Sequence, residues 1–334
     1  MESLFFALAL TFLLTYFYMP NFILRIKSSG YLIIDRYKPE KPELPTHGAV
    51  LVLFTMLLVC SITPVVFGVL RRLGFTDNYV LINEIDFAIL FVILAYGIFG
   101  FIDELINIKW LSKSLYPIFF SFPLVMLLNP SVIEIPFYGT ISLSGEVVLG
   151  FEYSDLFRIF VIPIYIMVVA NLVNMHSGFN GLQSGLSVIL LFLIILNSLL
   201  VEEYDNLLIP FSMLGGIFGL WFYNRFPAKI FEGNIGSLSF GASIGAILMV
   251  KEYYIFGIII LLPHIIDFLM LMYLVSMKKP FVKFGSLNDD GTINAPNPIK
   301  LKFLFPYFFS LTEKQVVNCC YILSLFFGII GLAI

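Results

Sequence analysis

The chain has 334 residues, of which 60% are hydrophobic and only 12% charged, with a formal net charge of −3. Soluble domains carry roughly 25% charged residues, so this chain lacks the charge to cover a water-facing surface, and its mean hydropathy of +0.98 agrees. A soluble globular domain is excluded, and the small net charge argues against a nucleic-acid partner. A spanning helix needs about 20 mostly apolar residues, because the hydrocarbon core is about 30 Å thick. By that measure the sequence predicts an all-α integral membrane protein of about ten transmembrane helices, in one polytopic domain over 1–334. The predicted spans are 3–24, 48–70, 86–102, 115–130, 156–175, 185–201, 207–223, 235–250, 253–275 and 316–334.

The first run, Leu4 to Met19, lacks a basic leader and a small-residue cleavage site, so it reads as a span rather than a removed signal. The fourth span carries Pro117 and Pro123, and the eighth is rich in Gly and Ser, which permits close helix packing in lipid. The segment 131–153 alternates and is rich in β-branched residues, which predicts a small β-hairpin on the outer face. In the last long loop, "LNDDGTI" predicts a short strand pair. Fifteen of the nineteen Lys and Arg residues fall in the loops after spans 1, 3, 5, 7 and 9. Positive charge marks the cytoplasmic side, so both termini are expected outside. The inner loops are then about 25–47, 103–114, 172–185, 224–234 and 276–315.

Polar residues near a membrane are costly and are candidates for function. They gather in these inner loops. In "GFIDELINIKWLSK", Asp103 and Glu104 are adjacent acids followed by Asn107 and Lys113. Neighbouring carboxylates can hold Mg²⁺ or take a proton, and a Lys can bind phosphate as a point charge; a solvated helix end is the bland alternative. In "ANLVNMHSGFNGLQSG", Asn171 and Asn174 share a helix face, and Asn180 follows. Such carboxamides could ligate a metal, bind a sugar or base, or serve only to join helices. "NRFPAKIFEGNIGS" places Phe231 and Asn234 at a turn into a helix, where an aromatic could stack on a base beside phosphate-facing amides. "DRYKPEKPELPTHG" carries Asp35, Lys38 and His47 toward lipid phosphates, or merely orients the chain. "SMKKPFVKFG" offers Lys278, Lys279 and Lys283, which could close over a diphosphate or again set orientation. His264 and Asp267, three apart in span 9, are expected to pair inside the bundle. Cys60, Cys319 and Cys320 lie in apolar runs and form no zinc pattern.

Three of these stretches, "GFIDELINIKW", "NLVNMHSGFNGLQSG" and "FPAKIFEGNIGSLSFGA", occur in the same order and on the same side as in a known family. The chain resembles the polyprenyl-phosphate N-acetylhexosamine-1-phosphate transferases. The resemblance is nearest to the UDP-GlcNAc:dolichyl-phosphate GlcNAc-1-phosphate transferases of archaea and eukaryotes. It implies transfer of a hexosamine 1-phosphate from a UDP-N-acetylhexosamine to a polyprenyl or dolichyl phosphate, with Mg²⁺ or Mn²⁺ as cofactor and UMP released. It further implies that Asp103, Glu104 and Lys113 are catalytic, with Asp103 near the lipid phosphate and Lys113 on the diphosphate. Asn174 and Asn234 stand at the metal-binding positions, and Asn180 and Phe231 at the nucleotide-sugar contacts. Asp35 and Lys38 stand near the acceptor. Asn107 and Asn171 are read as further substrate contacts, and Lys279 and Lys283 as substitutes for a His- or Arg-rich signature that many relatives carry in the last inner loop and this chain lacks. Membrane lipids, a homodimer, and an archaeal plasma membrane (or the endoplasmic reticulum) with a cytoplasmic site follow from the same likeness. The chain departs from the family pattern at Glu104 and Asn234, where most relatives have Asp. A transporter, or a non-catalytic relative, is the rival expectation; a transporter would place its polar site near the bilayer midplane.

Overall fold

The computed structural model describes residues 1–77, 81–145, 147–148, 150–277 and 284–334. Helix α1 (Glu2–Ser28) leads through a two-stranded antiparallel turn, β1 (Leu32–Ile34) and β2 (Glu43–Pro45), into α2 (Ala49–Arg72). Helix α3 (Glu84–Ile106) opens with a capping box between Asn83 and Asp86 and stops where Asn107 turns left-handed at φ 50°. The fourth apolar run is not one rod. It divides into α4 (Trp110–Leu115), a 3₁₀ segment over Tyr116–Ser121 with Pro117 in its first turn, and α5 (Phe122–Leu127) with Pro123 in its first turn. Proline lacks the N–H that would continue a helix ladder.

The predicted hairpin forms as β3 (Val132–Ile135) with β4 (Gly139–Ser142), followed by the shorter pair β5 (Val147–Val148) and β6 (Phe151–Glu152). Helix α6 (Tyr153–Leu156) continues through a π turn into α7 (Ile162–Met175). Then come α8 (Leu182–Leu200), α9 (Leu208–Asn224) and α10 (Gly233–Val250). The ninth apolar run bends by 65° between α11 (Tyr254–Ile260) and α12 (Leu262–Ser276). Pro263, in the first turn of α12, explains the break that hydropathy alone does not show. The last loop holds the expected strand pair, β7 (Ser286–Leu287) and β8 (Ile293–Asn294). It also holds a helix, α13 (Leu301–Phe308), before the final α14 (Glu313–Leu332).

Among the described residues, seven helices are long and apolar enough to cross a membrane, or eight if the bent pair α11–α12 is counted as one span. The other two runs expected to span, 115–130 and 207–223, correspond to shorter apolar helices, Leu111–Leu127 and Leu208–Asn224. The protein is thus a mostly helical integral membrane protein with small antiparallel strand pairs.

Helix α10 is the centre of the bundle, packed between α3 and α7, and its small residues permit the approach. A Cβ on Gly245 would stand 3.0 Å from the Ile166 Cα of α7. On the other side, Gly100 of α3 lies directly against the Asn234 carbonyl at the start of α10. That contact sets the ends of α3 and α10 side by side, and with them Asp103 and Asn234. Backbone bonds tie the second loop in as well: Phe231 N–H donates to Pro45 at 2.9 Å, and Gly48 N–H to Phe231 at 2.8 Å.

Candidate active site

At the end of the bundle where α10 begins, the five loops predicted as inner converge on a cleft of about 230 Å³. Asp35, Glu104, Asn174, Asn180, Phe231 and Asn234 line it. Asp103 sits just beneath, 4% exposed. Its Oδ2 accepts from Lys113 Nζ and, at 2.7 Å, from Asn234 Nδ2, while Oδ1 accepts from Ile108 N–H at 3.2 Å. The left-handed turn at Asn107 reverses the chain so that Lys113, ten residues on, can reach back to Asp103.

Glu104 faces the cleft from the same helix end. Its Oε1 accepts from Asn234 N–H at 2.9 Å. Its Oε2 lies 2.6 Å from His47 Nε2. Glu232, at the N-cap of α10, also lines the cleft. Burial pushes its carboxyl up to about 7, against hydrogen bonds from its own backbone and Asn224 that lower it, and the Glu104 charge adds to the rise.

A second network closes the far wall. Glu313, the first residue of α14, accepts from Asn180 N–H and from Lys38 Nζ, both at 2.6 Å. Lys38 also stands 3.4 Å from Asp35 and over the Phe226 ring at 4.2 Å. Asn180 Oδ1 in turn accepts from Ala228 N–H at 2.9 Å. Asn174 Oδ1 accepts from Ser237 Oγ at 2.7 Å.

Some expected residues lie elsewhere. Asn107 serves the turn and is exposed. Asn171 folds its amide back onto the Met167 carbonyl at 2.9 Å and is not part of the lining. Lys278, Lys279 and Lys283 lie outside the described residues. His264 and Asp267 do not hydrogen-bond to each other: Asp267 takes Leu301 N–H at 2.7 Å and Lys300 at 3.7 Å, whereas His264 packs edge-on against His176. His176 caps α7 just before the Ser177–Asn180 loop, and burial, then Lys300 and Lys302, push its imidazole down to about 3. Residues that sequence reasoning passed over are Glu313, Ser237, Arg36 and Tyr37. Each is a single polar side chain whose role depends on a distant loop.

The donors suit a hard cation only in company with a ligand's own oxygens. No group of three acidic, His or Cys side chains that could hold a metal occurs among the described residues. Magnesium is commonly bound by one or two carboxylates together with substrate phosphates. The Glu104 carboxylate at the cleft, beside the Asn174 and Asn234 amides, fits that arrangement.

Comparison with known proteins bears directly on this arrangement. The glycosyl transferase family 4 profile matches residues 87–252, from α3 to just beyond α10. The phospho-N-acetylmuramoyl-pentapeptide-transferase of Streptococcus pneumoniae is 30% identical over 248 residues, covering 72% of this chain and 71% of that protein. The chain belongs to glycosyl transferase family 4. Within the family, a Saccharolobus solfataricus protein provisionally named a UDP-N-acetylglucosamine–dolichyl-phosphate N-acetylglucosaminephosphotransferase is 26% identical over 335 residues, covering 96% of this chain and 94% of its own length. A glycosyltransferase, provisionally so named, of Methanocaldococcus jannaschii is 26% identical over 303 residues, covering 90% and 86%. The family match spans Asp103, Lys113, Asn174, Asn180 and Asn234, whereas Asp35, Lys38 and Glu313 lie outside it.

Proposed function

We propose that this chain transfers an N-acetylhexosamine 1-phosphate from a UDP-sugar, UDP-GlcNAc or a close relative, to a polyprenyl or dolichyl phosphate. The observation that carries the reading is the convergence of Asp103, Lys113, Glu104 and Asn234 beneath a cleft at one end of a membrane bundle. The names of the relatives agree with it. An oxygen of the acceptor phosphate bonds to the β-phosphorus of the UDP-sugar. The bond from that phosphorus to the bridging oxygen breaks, and its electron pair leaves with UMP.

A phosphate is already a nucleophile near neutral pH, so positioning and electrostatics dominate. Lys113 supplies positive charge beneath the diphosphate. Asp103 acts by holding Lys113 and the Asn234 amide in place. Phe231 offers a ring face to the base, and Asp35 with Lys38 borders the acceptor phosphate. Glu104, Asn174 and Asn234 would hold Mg²⁺ or Mn²⁺, which when bound supplies charge neutralisation at the diphosphate.

The charge bias of the loops supports ten spans with both termini outside and the cleft in the cytoplasm, in an archaeal plasma membrane or the endoplasmic reticulum. The polar groups gather at one end of the bundle rather than at its middle, which favours an interfacial enzyme over a transporter.

The test is UMP release by the purified protein given UDP-GlcNAc, a short polyprenyl phosphate and Mg²⁺. Release that needs both lipid and metal is expected; none with any UDP-N-acetylhexosamine overturns the reading. Asn234→Asp is expected to tighten Mg²⁺ binding about tenfold, read as a lower Mg²⁺ half-saturation, because it adds a hard anionic ligand. The new carboxylate would sit against Asp103, and such a pair needs a proton or a cation between its members. An unchanged Mg²⁺ dependence would remove residue 234 from the metal.

A further inference from the structure

We propose that the groove between the cytoplasmic ends of α9 and α14 binds the phosphate-bearing headgroup of an anionic lipid. The groove encloses about 500 Å³ and shares only Asn180 with the cleft. Arg225, Lys229 and Lys314 line it. Three other cations of this end are matched by acids: Lys38 by Glu313, Lys113 by Asp103, Lys300 by Asp267. Among the described residues none of the three groove cations reaches a carboxylate. The groove therefore concentrates three uncompensated positive charges, which a phosphate would neutralise.

The aromatic wall is built in advance. Trp221 Nε1 donates to Tyr321 OH at 3.0 Å, and that hydroxyl donates to the Gly181 carbonyl. The Arg225 guanidinium rests 5.0 Å from the Trp221 ring centre, so it is oriented before any ligand arrives. Trp and Tyr favour the headgroup level of a bilayer, and basic pockets between spans at that level take anionic headgroups. One turn along the same helices, Phe218 on α9 and Leu325 on α14 are exposed apolar side chains. They continue the groove as a surface for acyl chains, which selects a lipid over a soluble phosphate.

The site bears on the cleft through the 225–229 loop, because Ala228 N–H is held by Asn180. Its existence does not depend on the transferase reading, and the test is binding. The full chain is purified in detergent, titrated with phosphatidylglycerol or phosphatidylcholine, and read by native mass spectrometry. Phosphatidylglycerol is expected to be retained at least tenfold more strongly. Combining Arg225→Gln with Lys314→Gln should weaken it about thirtyfold, as two surface charges are removed, whereas Lys27→Gln should not. A second reading leaves the groove cations intact: in Trp110→Phe, the remaining Trp221 fluorescence should change with phosphatidylglycerol and not with phosphatidylcholine. Equal retention of the two lipids, an unaffected double variant, or a silent Trp221 overturns the proposal. Displacement of phosphatidylglycerol by inorganic phosphate would also overturn it, by making the ligand a free phosphate.

Discussion

Asp103→Asn should cost at least about a hundredfold in UMP release at saturating substrate, while leaving the helical bundle folded. The side chain is 4% exposed and its carboxylate takes three donors: Lys113, Asn234 and the Ile108 N–H. The amide of Asn keeps the shape but turns a donor toward groups that are themselves donors. Losing one member of a buried ion pair leaves the other charge uncompensated, at about 3–5 kcal/mol. Most of that loss should fall on the positioning of Lys113, because its side chain is 21% exposed and can swing toward water. Turnover within a few-fold of the parent would show that Lys113 and Asn234 hold their places without the charge. Thermal unfolding in detergent, measured alongside, separates a misplaced Lys113 from a lost fold.

The second large effect is expected far along the chain, at Glu313→Ala. This carboxylate is 2% exposed and holds Asn180 N–H with one oxygen and Lys38 with the other. Alanine would leave the Asn180 N–H without its acceptor and Lys38, 15% exposed, with Asp35 alone at 3.4 Å, at about 1–3 kcal/mol for the unpaired N–H. We expect a lower unfolding temperature together with a raised KM for the UDP-sugar, because the Asn180 loop forms one wall of the cleft. Glu313→Gln keeps an acceptor for Asn180 but not the charge for Lys38, so it should recover part of the KM change. If Glu313→Ala leaves both quantities unchanged, the α14 contact is incidental to the site.

These two residues also mark the limits of what the sequence shows. Asp103 was legible because it stands beside Glu104 at the end of an apolar run, with Lys113 close by in sequence. Asn174, Asn180 and Asn234 were legible as polar residues at a membrane boundary. Glu313 carried no such sign: a lone acid in the first turn of a helix is ordinary, and its partners are far away in the chain. Hydropathy located the apolar runs but is blind to direction, so the bend at Pro263 and the division of the fourth run near Pro117 and Pro123 emerged only in three dimensions. Asn171 shows the opposite error. Its spacing from Asn174 is right for a shared face, yet its amide satisfies itself on its own helix, as short polar side chains readily do.

The bond between Lys38 and Glu313 joins positions 275 residues apart. One partner follows α1 and the other begins α14. A ribosome extrudes them in that order, so the nascent protein carries Lys38 through the synthesis of every helix between them, and the Asn180 loop through the later ones, without the carboxylate that fixes them. The cleft is finished only when α14 docks. A product that stops just short of α14 therefore holds every family-matched residue and still lacks the final latch, which ties full assembly of the site to the synthesis of α14.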